Sequence, residues 1–174
     1  MSIKPIITVP DPILRSISKP IEKITKNENK LIKDLEDSMY NANGIGLAAI
    51  QLGIPLRLIV IDVSNEKNIK KPLCFINPVI KFKSKNTSIY EEGCLSIPET
   101  FIEIERPKKI IVEYVDISGK KSEMECDGLL STCIQHEINH CDGKLIIDYL
   151  SKLKKDFLIK KLSKQKSKNN DLII

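Results

Sequence analysis

Both histidines of this 174-residue chain lie in one segment, His136-Glu137-Ile138-Asn139-His140. Side chains four residues apart on a helix project from the same face, so the two imidazoles could bind one metal ion. Glu137 would lie about 100° further round the helix, close enough to handle the proton of a water molecule at that metal. The segment therefore predicts a metal-dependent hydrolytic site. The alternative is two surface histidines beside an exposed glutamate.

Two histidines do not complete such a site, because a catalytic metal usually has three protein ligands and one open position. The sequence has no third histidine, and no glutamate follows Glu137. The remaining candidates are a downstream aspartate or a cysteine. Asp142 is too close along the helix to swing round to the metal, and Asp148 and Asp156 are weak candidates.

Cys94 differs from the other four cysteines because its segment suits a ligand loop. Gly93 permits a tight backbone before it, and Pro98 ends local regularity after it. Three ligands at 133, 136 and 140 of one helix would be crowded, so Cys133 is interpreted as pocket lining. Five cysteines without a CxxC pair do not indicate a disulfide framework, and the rest are interpreted as buried apolar residues: Cys74, Cys126 and Cys141.

A third unusual segment covers residues 44–51 (GIGLAAIQ). Two glycines and two alanines allow a backbone to approach another group closely, and Gln51 would bring an amide donor to it. The segment is not a phosphate-binding loop, because no Lys-Ser or Lys-Thr follows it.

Hydrophobic periodicity predicts the elements that must position these segments. Helical spacing predicts helices at residues 28–41, 128–141 and 151–164, and Asn43-Gly44 and Asp142-Gly143 would end the first two. Residues rich in Ile and Val predict strands at 57–63, 73–76, 101–105 and 109–117, with a hairpin leading into 121–126. Strands between two helices, followed by a third, predict an α+β domain.

The charge of the chain is unevenly distributed. Residues 1–150 carry 20 basic and 21 acidic side chains, whereas residues 151–174 carry eight lysines and two aspartates. A neutral body with a basic tail favours a separate docking segment over a fold built to bind nucleic acid. A solvated helix whose lysines reflect an AT-rich genome is the alternative, since the chain has 25 lysines and three arginines. We expect a catalytic body at 1–150, with the helix and tail at 151–174 packed on it.

Hydropathy predicts the compartment. No stretch approaches 18 consecutive apolar residues, and the first ten residues lack the apolar core of a signal peptide. A cytoplasmic protein without a membrane partner is therefore expected.

Taken together, the three segments resemble the peptide deformylase family. The family motifs GxGLAAxQ, EGCLS and QHExDHLxG correspond here, in the same order, to residues 44–51, 92–96 and 135–143. Residues 10–15, 61–63 and 127–130 also resemble the family. The resemblance implies a hydrolase that removes the N-formyl group from the formylmethionine of new polypeptides and releases formate. It also implies antiparallel strands packed around a central HExxH helix, with an N-terminal helix and a basic C-terminal helix.

Carried over residue by residue, the resemblance implies that Cys94, His136 and His140 hold one divalent metal. The expected ion is Fe(II), which Zn, Ni or Co can replace. Glu137 would be the acid and base, while Gln51 and the backbone N–H of Leu95 would hold the formyl oxygen. The pocket for the substrate methionine would be lined by Gly44, Ile45, Gly46, Tyr90, Glu92, Gly93, Leu129 and Cys133.

The same resemblance implies the partners. Nascent N-formylmethionyl peptides are the expected substrates, and the basic C-terminal helix could dock on the ribosome near the tunnel exit through phosphate contacts. DNA is not expected as a partner, and the chain is expected to be a monomer. The alternatives are a metallopeptidase that cuts internal peptide bonds and an inactive ribosome-binding module, although the latter would predict a broken ligand set.

Three residues depart from the family pattern. Asn139 stands where the family has Asp, so an ion pair with Arg106 would be weakened, and we expect altered stability or metal affinity without loss of activity. Cys141 replaces Leu by a smaller apolar side chain. Phe101 stands where many members carry a cation, which leaves recognition beyond the second substrate residue open.

Overall fold

The computed structural model describes residues 3–64 and 69–170. Its helices are α1 (Lys26–Asn41), α2 (Gly128–Cys141) and α3 (Lys152–Asn170). All three helices predicted from the sequence are present, and the third extends beyond its predicted end at residue 164. Short 3-10 helices lie at Pro12–Arg15, Ala49–Leu52 and Ile146–Tyr149. The strands are β1 (Gly46–Ala48), β2 (Leu58–Ile61), β3 (Leu73–Lys83), β4 (Thr87–Cys94), β5 (Ile97–Pro107), β6 (Lys109–Val115) and β7 (Lys121–Asp127).

The strands form two antiparallel sheets. Five strands pair in the order β1-β2-β3-β6-β7, and β4 and β5 form a separate two-stranded ribbon. The five strand pairs found in the described residues are all antiparallel. The predicted α+β class is therefore confirmed.

Strand β2 separates two hydrophobic cores. Its four residues are all fully buried, and alternate side chains point to opposite faces of the sheet. Ile59 and Ile61 pack with Ile134 and Ile138 of α2. On the other face, Leu58 and Val60 pack against three residues of α1: Leu31, Leu35 and Met39. The sheet thus lies between α1 and α2, and α2 is buried against its inner face.

Local interactions fix the start of α1. The Thr25 hydroxyl accepts a hydrogen bond from the Asn27 N–H at 3.1 Å, and the Glu28 carboxylate accepts one from the Thr25 N–H at 2.8 Å. This capping box satisfies N–H groups that the first helical turn leaves without partners. The apolar positions that predicted the helix, including Leu31, Leu35 and Met39, are all buried.

A third core joins the ribbon to the C-terminal part of the chain. Ile97, Ile102 and Ile104 of β5 pack there with Leu14 and the 3-10 helix Ile146–Tyr149. Leu162 of α3 is buried in the same cluster. Helix α3 therefore packs on the body through one face, while Leu153 and Phe157 are exposed.

The sequence did not predict β1 and β4, and it predicted β3 and β5 too short. β1 has only three residues, too few to show an alternating pattern. β4 carries mostly polar side chains and buries one residue, Glu92, so its hydrophobic signal is weak. The segments predicted at 73–76 and 101–105 are parts of the 11-residue strands β3 and β5, because polar residues interrupt both strands.

None of the helices within the described ranges combines the length and the apolar composition of a membrane span.

Candidate metal centre and active site

Helix α2 carries both histidines into the interior. The Asp127 carboxylate accepts a hydrogen bond from the Gly128 N–H at 2.6 Å, and Gly128 has a φ of +56°, so β7 turns directly into the helix. Ten of the 14 helical residues are buried, including His136, Glu137 and His140. The alternative of two surface histidines beside an exposed glutamate is therefore wrong.

Cys94 meets these histidines from the end of β4. The β4–β5 register shifts between Gly93 and Cys94, which ends regular pairing at the cysteine. One ligand atom from each of Cys94, His136 and His140 lies within 4.8 Å of the other two. Cys94 Sγ lies 3.3 Å from His140 Nε2, close to the separation of about 3.5 Å expected for tetrahedral ligands on zinc-like bond lengths. The donor set, one soft sulfur and two imidazoles, fits a transition metal or zinc.

A buried ion pair orients His136. Arg106 Nε and Nη2 donate to the two oxygens of Glu92 at 2.5 and 2.9 Å, and both side chains are about 95% buried. Glu92 Oε2 also lies 2.8 Å from His136 Nδ1. Because that contact uses Nδ1, Nε2 of His136 remains available to a metal.

The electrostatics of the triad favour a cation. Burial acts to lower the pKa of His136, but hydrogen bonds with Cys94 and Glu92 outweigh it and raise the pKa to about 10. Burial and the positive charge of a protonated His136 lower the pKa of His140 well below its ordinary value. The groups that favour a proton on His136 also favour a metal ion, while His140 stays a neutral ligand.

The carboxyl group of Glu137 lies beside the triad without a complete set of partners. Its side chain is buried, and Oε2 has no hydrogen-bond partner in the described part of the chain. Burial raises the pKa of Glu137 to about 7. A carboxyl group with a pKa near neutral can both accept and return a proton. A Cβ added to Gly46 would lie 2.5 Å from Glu137 Oε1, so glycine at that position makes room for the carboxyl.

Gln51 is held beside Cys94 by both ends of its amide. Its Oε1 accepts a hydrogen bond from the Ala48 N–H at 2.8 Å, and its Nε2 donates to the Ser96 hydroxyl at 3.0 Å. Nε2 also lies 3.9 Å from Cys94 Sγ. The GIGLAAIQ segment therefore forms β1 and the following 3-10 helix. Its last residue, Gln51, brings the amide donor close to Cys94, as the sequence predicted.

An apolar cavity of about 570 Å³ opens beside the triad. Every residue predicted for the methionine pocket lines it: Gly44, Ile45, Gly46, Tyr90, Glu92, Gly93, Leu129 and Cys133. Gln51, Leu95 and Glu137 also line it. Sequence reasoning missed the wall formed by the start of β5, which includes Ile97, Pro98, Glu99 and Thr100. These residues directly follow the EGCLS segment, and that position could have indicated that they line the same cavity.

The downstream aspartates Asp142 and Asp148 pair with basic side chains and do not belong to the triad. Asp142 pairs with Arg57 at 2.7 Å, and Asp148 accepts hydrogen bonds from Arg15 at 2.5 Å and from Lys155. Burial raises the pKa of Cys133 to about 12, as expected for a lining residue kept as a neutral thiol. Burial likewise raises the pKa of Cys74 and Cys141 to about 12 and that of Cys126 to about 11. Cys126 and Cys141 are buried as expected, and Cys74 is half-buried.

Cys94 beside two buried histidines, a neighbouring carboxyl group and an apolar cavity are the arrangement expected of a metal-dependent hydrolase. Residues 3–156 match the model of the polypeptide deformylase family. The chain therefore belongs to the polypeptide deformylase family.

Individual relatives agree with the family match and align with nearly all of the chain. A peptide deformylase of Pelagibacter ubique is 58% identical over 167 residues, covering 96% of this chain and 97% of the relative. A peptide deformylase of Bartonella henselae is 53% identical over 170 residues, covering 98% and 97%. The crystal structure of peptide deformylase from Ehrlichia chaffeensis has a TM-score of 0.90 at 38% identity, covering 99% of this chain and 100% of that one.

The contact between Gly46 and Glu137 yields a prediction. In Gly46→Ala the added methyl group would lie 2.5 Å from Glu137 Oε1 and 3.2 Å from its Cδ and Cγ, so the carboxyl group must shift. We expect formate release to fall by about 100-fold, as for a catalytic group misplaced by about 1 Å. A formate assay measures the effect, and the bound metal is expected to stay at one equivalent. Activity close to that of the unmodified chain would show that Glu137 tolerates displacement.

Proposed function

We infer that the site formed by Cys94, His136 and His140 performs the reaction of the family, the hydrolysis of the N-formyl group on the N-terminal methionine of newly made polypeptides. Water adds its oxygen to the formyl carbon, the carbon–nitrogen bond breaks, and formate and a free α-amine are released. The observation that carries the inference is the buried Glu137 carboxyl group, which lines an apolar cavity together with Cys94 and His136.

The three proposed ligands, Cys94, His136 and His140, would hold one divalent metal. When bound, such an ion supplies positive charge that lowers the pKa of a water molecule and polarises a carbonyl oxygen. The ion pair of Glu92 with Arg106 fixes the imidazole of His136 for this task.

Glu137 is proposed to move the proton. Its pKa of about 7 lets it accept a proton from the attacking water and then donate that proton to the departing α-amine. Its unpartnered Oε2 is free to make these contacts, because Glu137 is not used in a structural ion pair among the described residues.

Gln51 and the Leu95 N–H are proposed to stabilise the charge that develops on the formyl oxygen. The Gln51 amide is already oriented by Ala48 and Ser96, so it does not need to reorganise during the reaction. A donor of this kind typically contributes about 3 kcal/mol to lowering the barrier.

The cavity is proposed to hold the methionine side chain. The side chains that line it include Ile45, Leu129 and Cys133, which suit an unbranched apolar side chain. Gly44, Gly46 and Gly93 also line it, and the absence of a side chain at each lets Leu95, Glu137 and Phe101 pack against the cavity wall.

Glu137→Gln tests the assignment directly. The amide keeps the size of the side chain but cannot carry the proton, so kcat for formate release from a formyl-methionyl peptide is expected to fall by about 100- to 10,000-fold. Bound metal should remain at one equivalent. Glu123→Gln, an exposed glutamate on β7, is the matched control and should leave the rate unchanged.

A rate for Glu137→Gln within about tenfold of the unmodified chain would contradict the assignment, because general acid–base catalysis contributes more than that. The same assay separates the alternative reaction: a metallopeptidase would cleave formyl-Met-Ala at its internal bond, whereas the proposed enzyme releases formate without that cleavage.

Fe(II) is the proposed metal in the cell, and Zn, Ni or Co are proposed substitutes in a purified sample. The sulfur of Cys94 is a soft ligand suited to these ions. Oxygen can oxidise both ferrous iron and the thiolate. We therefore expect the Fe(II) form to lose activity in air and to keep it under nitrogen, while the Ni(II) form stays active in air. Equal half-lives of the two forms in air would contradict this prediction.

The C-terminal helix is proposed as a docking segment on the same body, for the ribosome near the tunnel exit. Its lysines include Lys160, Lys161 and Lys164, which are exposed, and Leu162 anchors the opposite face in the third core. Ribosomal RNA phosphates are the partners that such lysines suit. We further propose that the enzyme works as a monomer in the cytoplasm. Residues 171–174 of the expected tail lie outside the described residues.

Charge reversal tests the docking proposal. Lys160→Glu with Lys161→Glu is expected to weaken ribosome binding by about tenfold at low salt, because each lost phosphate contact reduces the electrostatic contribution. The matched control is Lys120→Glu with Lys121→Glu, an exposed pair beside the β6–β7 turn. Equal binding by the two double variants in a ribosome cosedimentation assay would rule out α3 as the docking segment.

A further inference from the structure

Behind the triad, a polar cluster connects Asn139 to the ligand His136. Arg106 Nη1 donates to Asn139 Oδ1 at 2.9 Å, and the Tyr149 hydroxyl donates to the same oxygen at 3.1 Å. Arg106 uses its other two nitrogens on Glu92, which in turn contacts His136 Nδ1 at 2.8 Å. Asn139 thus acts on His136 through two intervening side chains.

The charges in this cluster are balanced. Arg106 and Glu92 are both about 95% buried and carry one opposite charge each, while Asn139 and Tyr149 contribute only neutral oxygens. A buried ion pair interacts strongly because little water screens it. Glu92 therefore faces His136 with a negative charge that is largely neutralised by Arg106.

An aspartate at position 139 would change this distribution. A second carboxylate on Nη1 would share the charge of Arg106, and Glu92 would face His136 with more uncompensated negative charge. An imidazole whose N–H donates to a more negative carboxylate is a stronger metal ligand. An added negative charge near the triad would act in the same direction, since it attracts the metal ion.

We propose that Asn139 is a positioning residue that sets how strongly Glu92 polarises His136, so that this chain holds its metal less tightly than it would with aspartate at position 139. The proposal rests on the proposed function in one respect, namely that His136 is a metal ligand. Asn139 does not touch the triad in this role; it acts through Arg106 and Glu92.

Metal release tests the proposal without measuring activity. Protein loaded with Zn²⁺ is mixed with a chromophoric chelator, and the rate of zinc transfer is followed. Asn139→Asp is expected to release zinc about tenfold more slowly than the unmodified chain, the scale typical of partners of metal ligands. Equal rates would overturn the proposal.

A charge-exchanged variant separates this role from a general effect of added charge. Glu92→Gln combined with Asn139→Asp keeps one carboxylate on Arg106 but moves it away from His136. It also avoids a buried arginine without a partner, which Glu92→Gln alone would leave. We expect this double variant to release zinc about tenfold faster than the unmodified chain. Release at the rate of the unmodified chain, whose total charge the double variant shares, would mean that only total charge matters and would overturn the proposal. Release as slow as in Asn139→Asp would mean that the carboxylate introduced at position 139 does not act through Glu92 and would overturn it as well.

Tyr149→Phe is the control for a purely structural contribution. It removes the hydrogen bond that Tyr149 donates to Asn139 Oδ1 and the one that its hydroxyl accepts from Arg106 Nη1, without changing any charge. Zinc release is expected to stay within about threefold, below the range typical of partners of metal ligands. A tenfold effect of Tyr149→Phe would show that these hydrogen bonds and not the charge are decisive.

Two further readouts make the outcome unambiguous. With Co²⁺ in place of zinc, the thiolate-to-cobalt absorption should keep the same intensity in all variants, because the ligand set is unchanged. Thermal unfolding shows whether each variant folds. If Asn139→Asp alone does not fold, the zinc release rate of Glu92→Gln with Asn139→Asp tests the proposal. Less than one equivalent of zinc in the unmodified chain would contradict the metal site itself, whereas full loading with equal release rates would contradict only the role of Asn139.

Discussion

The site depends on the burial of polar groups on one helix. Helix α2 lies against the inner face of the five-stranded sheet, and its apolar residues Ile134 and Ile138 secure it there. The same packing takes His136, Glu137 and His140 out of water. Buried polar groups are costly unless they find partners. The partners come from the ribbon, which supplies Cys94 and Glu92 beside them, and a bound cation would satisfy the ligand atoms that remain.

Each sheet contributes a different part of the chemistry. The five-stranded sheet ends in β1, whose small residues leave room for Glu137 and lead to Gln51. The ribbon β4–β5 supplies Cys94 at its bulge and Arg106 at its far end. Among the described residues these two strands pair with each other and with no other strand. Their position relative to α2 depends on the third core, on the contact of Glu92 with His136, and on the hydrogen bonds that Ser131 and Gln135 donate to the Pro107 carbonyl. Loss of the contact of Glu92 with His136 is therefore expected to affect both the orientation of a ligand and the seating of the ribbon.

Sequence alone was sufficient for the helices and for the residues that meet at the triad. Helical spacing located α1 and α2, and the scarcity of histidine narrowed the third ligand to an aspartate or a cysteine, with the glycine-preceded Cys94 as the best candidate. It was not sufficient for β1 and β4. β1 is too short for a periodic signal, and β4 is polar because its side chains face solvent or pair with Arg106. The path from Asn139 through Arg106 and Glu92 to His136 joins residues up to 47 positions apart, and only the tertiary structure reveals all of its contacts.

The central claim is that Cys94, His136 and His140 together bind one catalytic metal ion. X-ray absorption spectroscopy of the Zn²⁺-loaded protein tests it most directly, because sulfur and nitrogen ligands give different bond lengths. The structure predicts one sulfur at about 2.3 Å and two imidazole nitrogens at about 2.0–2.1 Å, and Cys94→Ser should remove the sulfur contribution. A zinc ion without a sulfur ligand, or with one that persists in Cys94→Ser, would contradict the account.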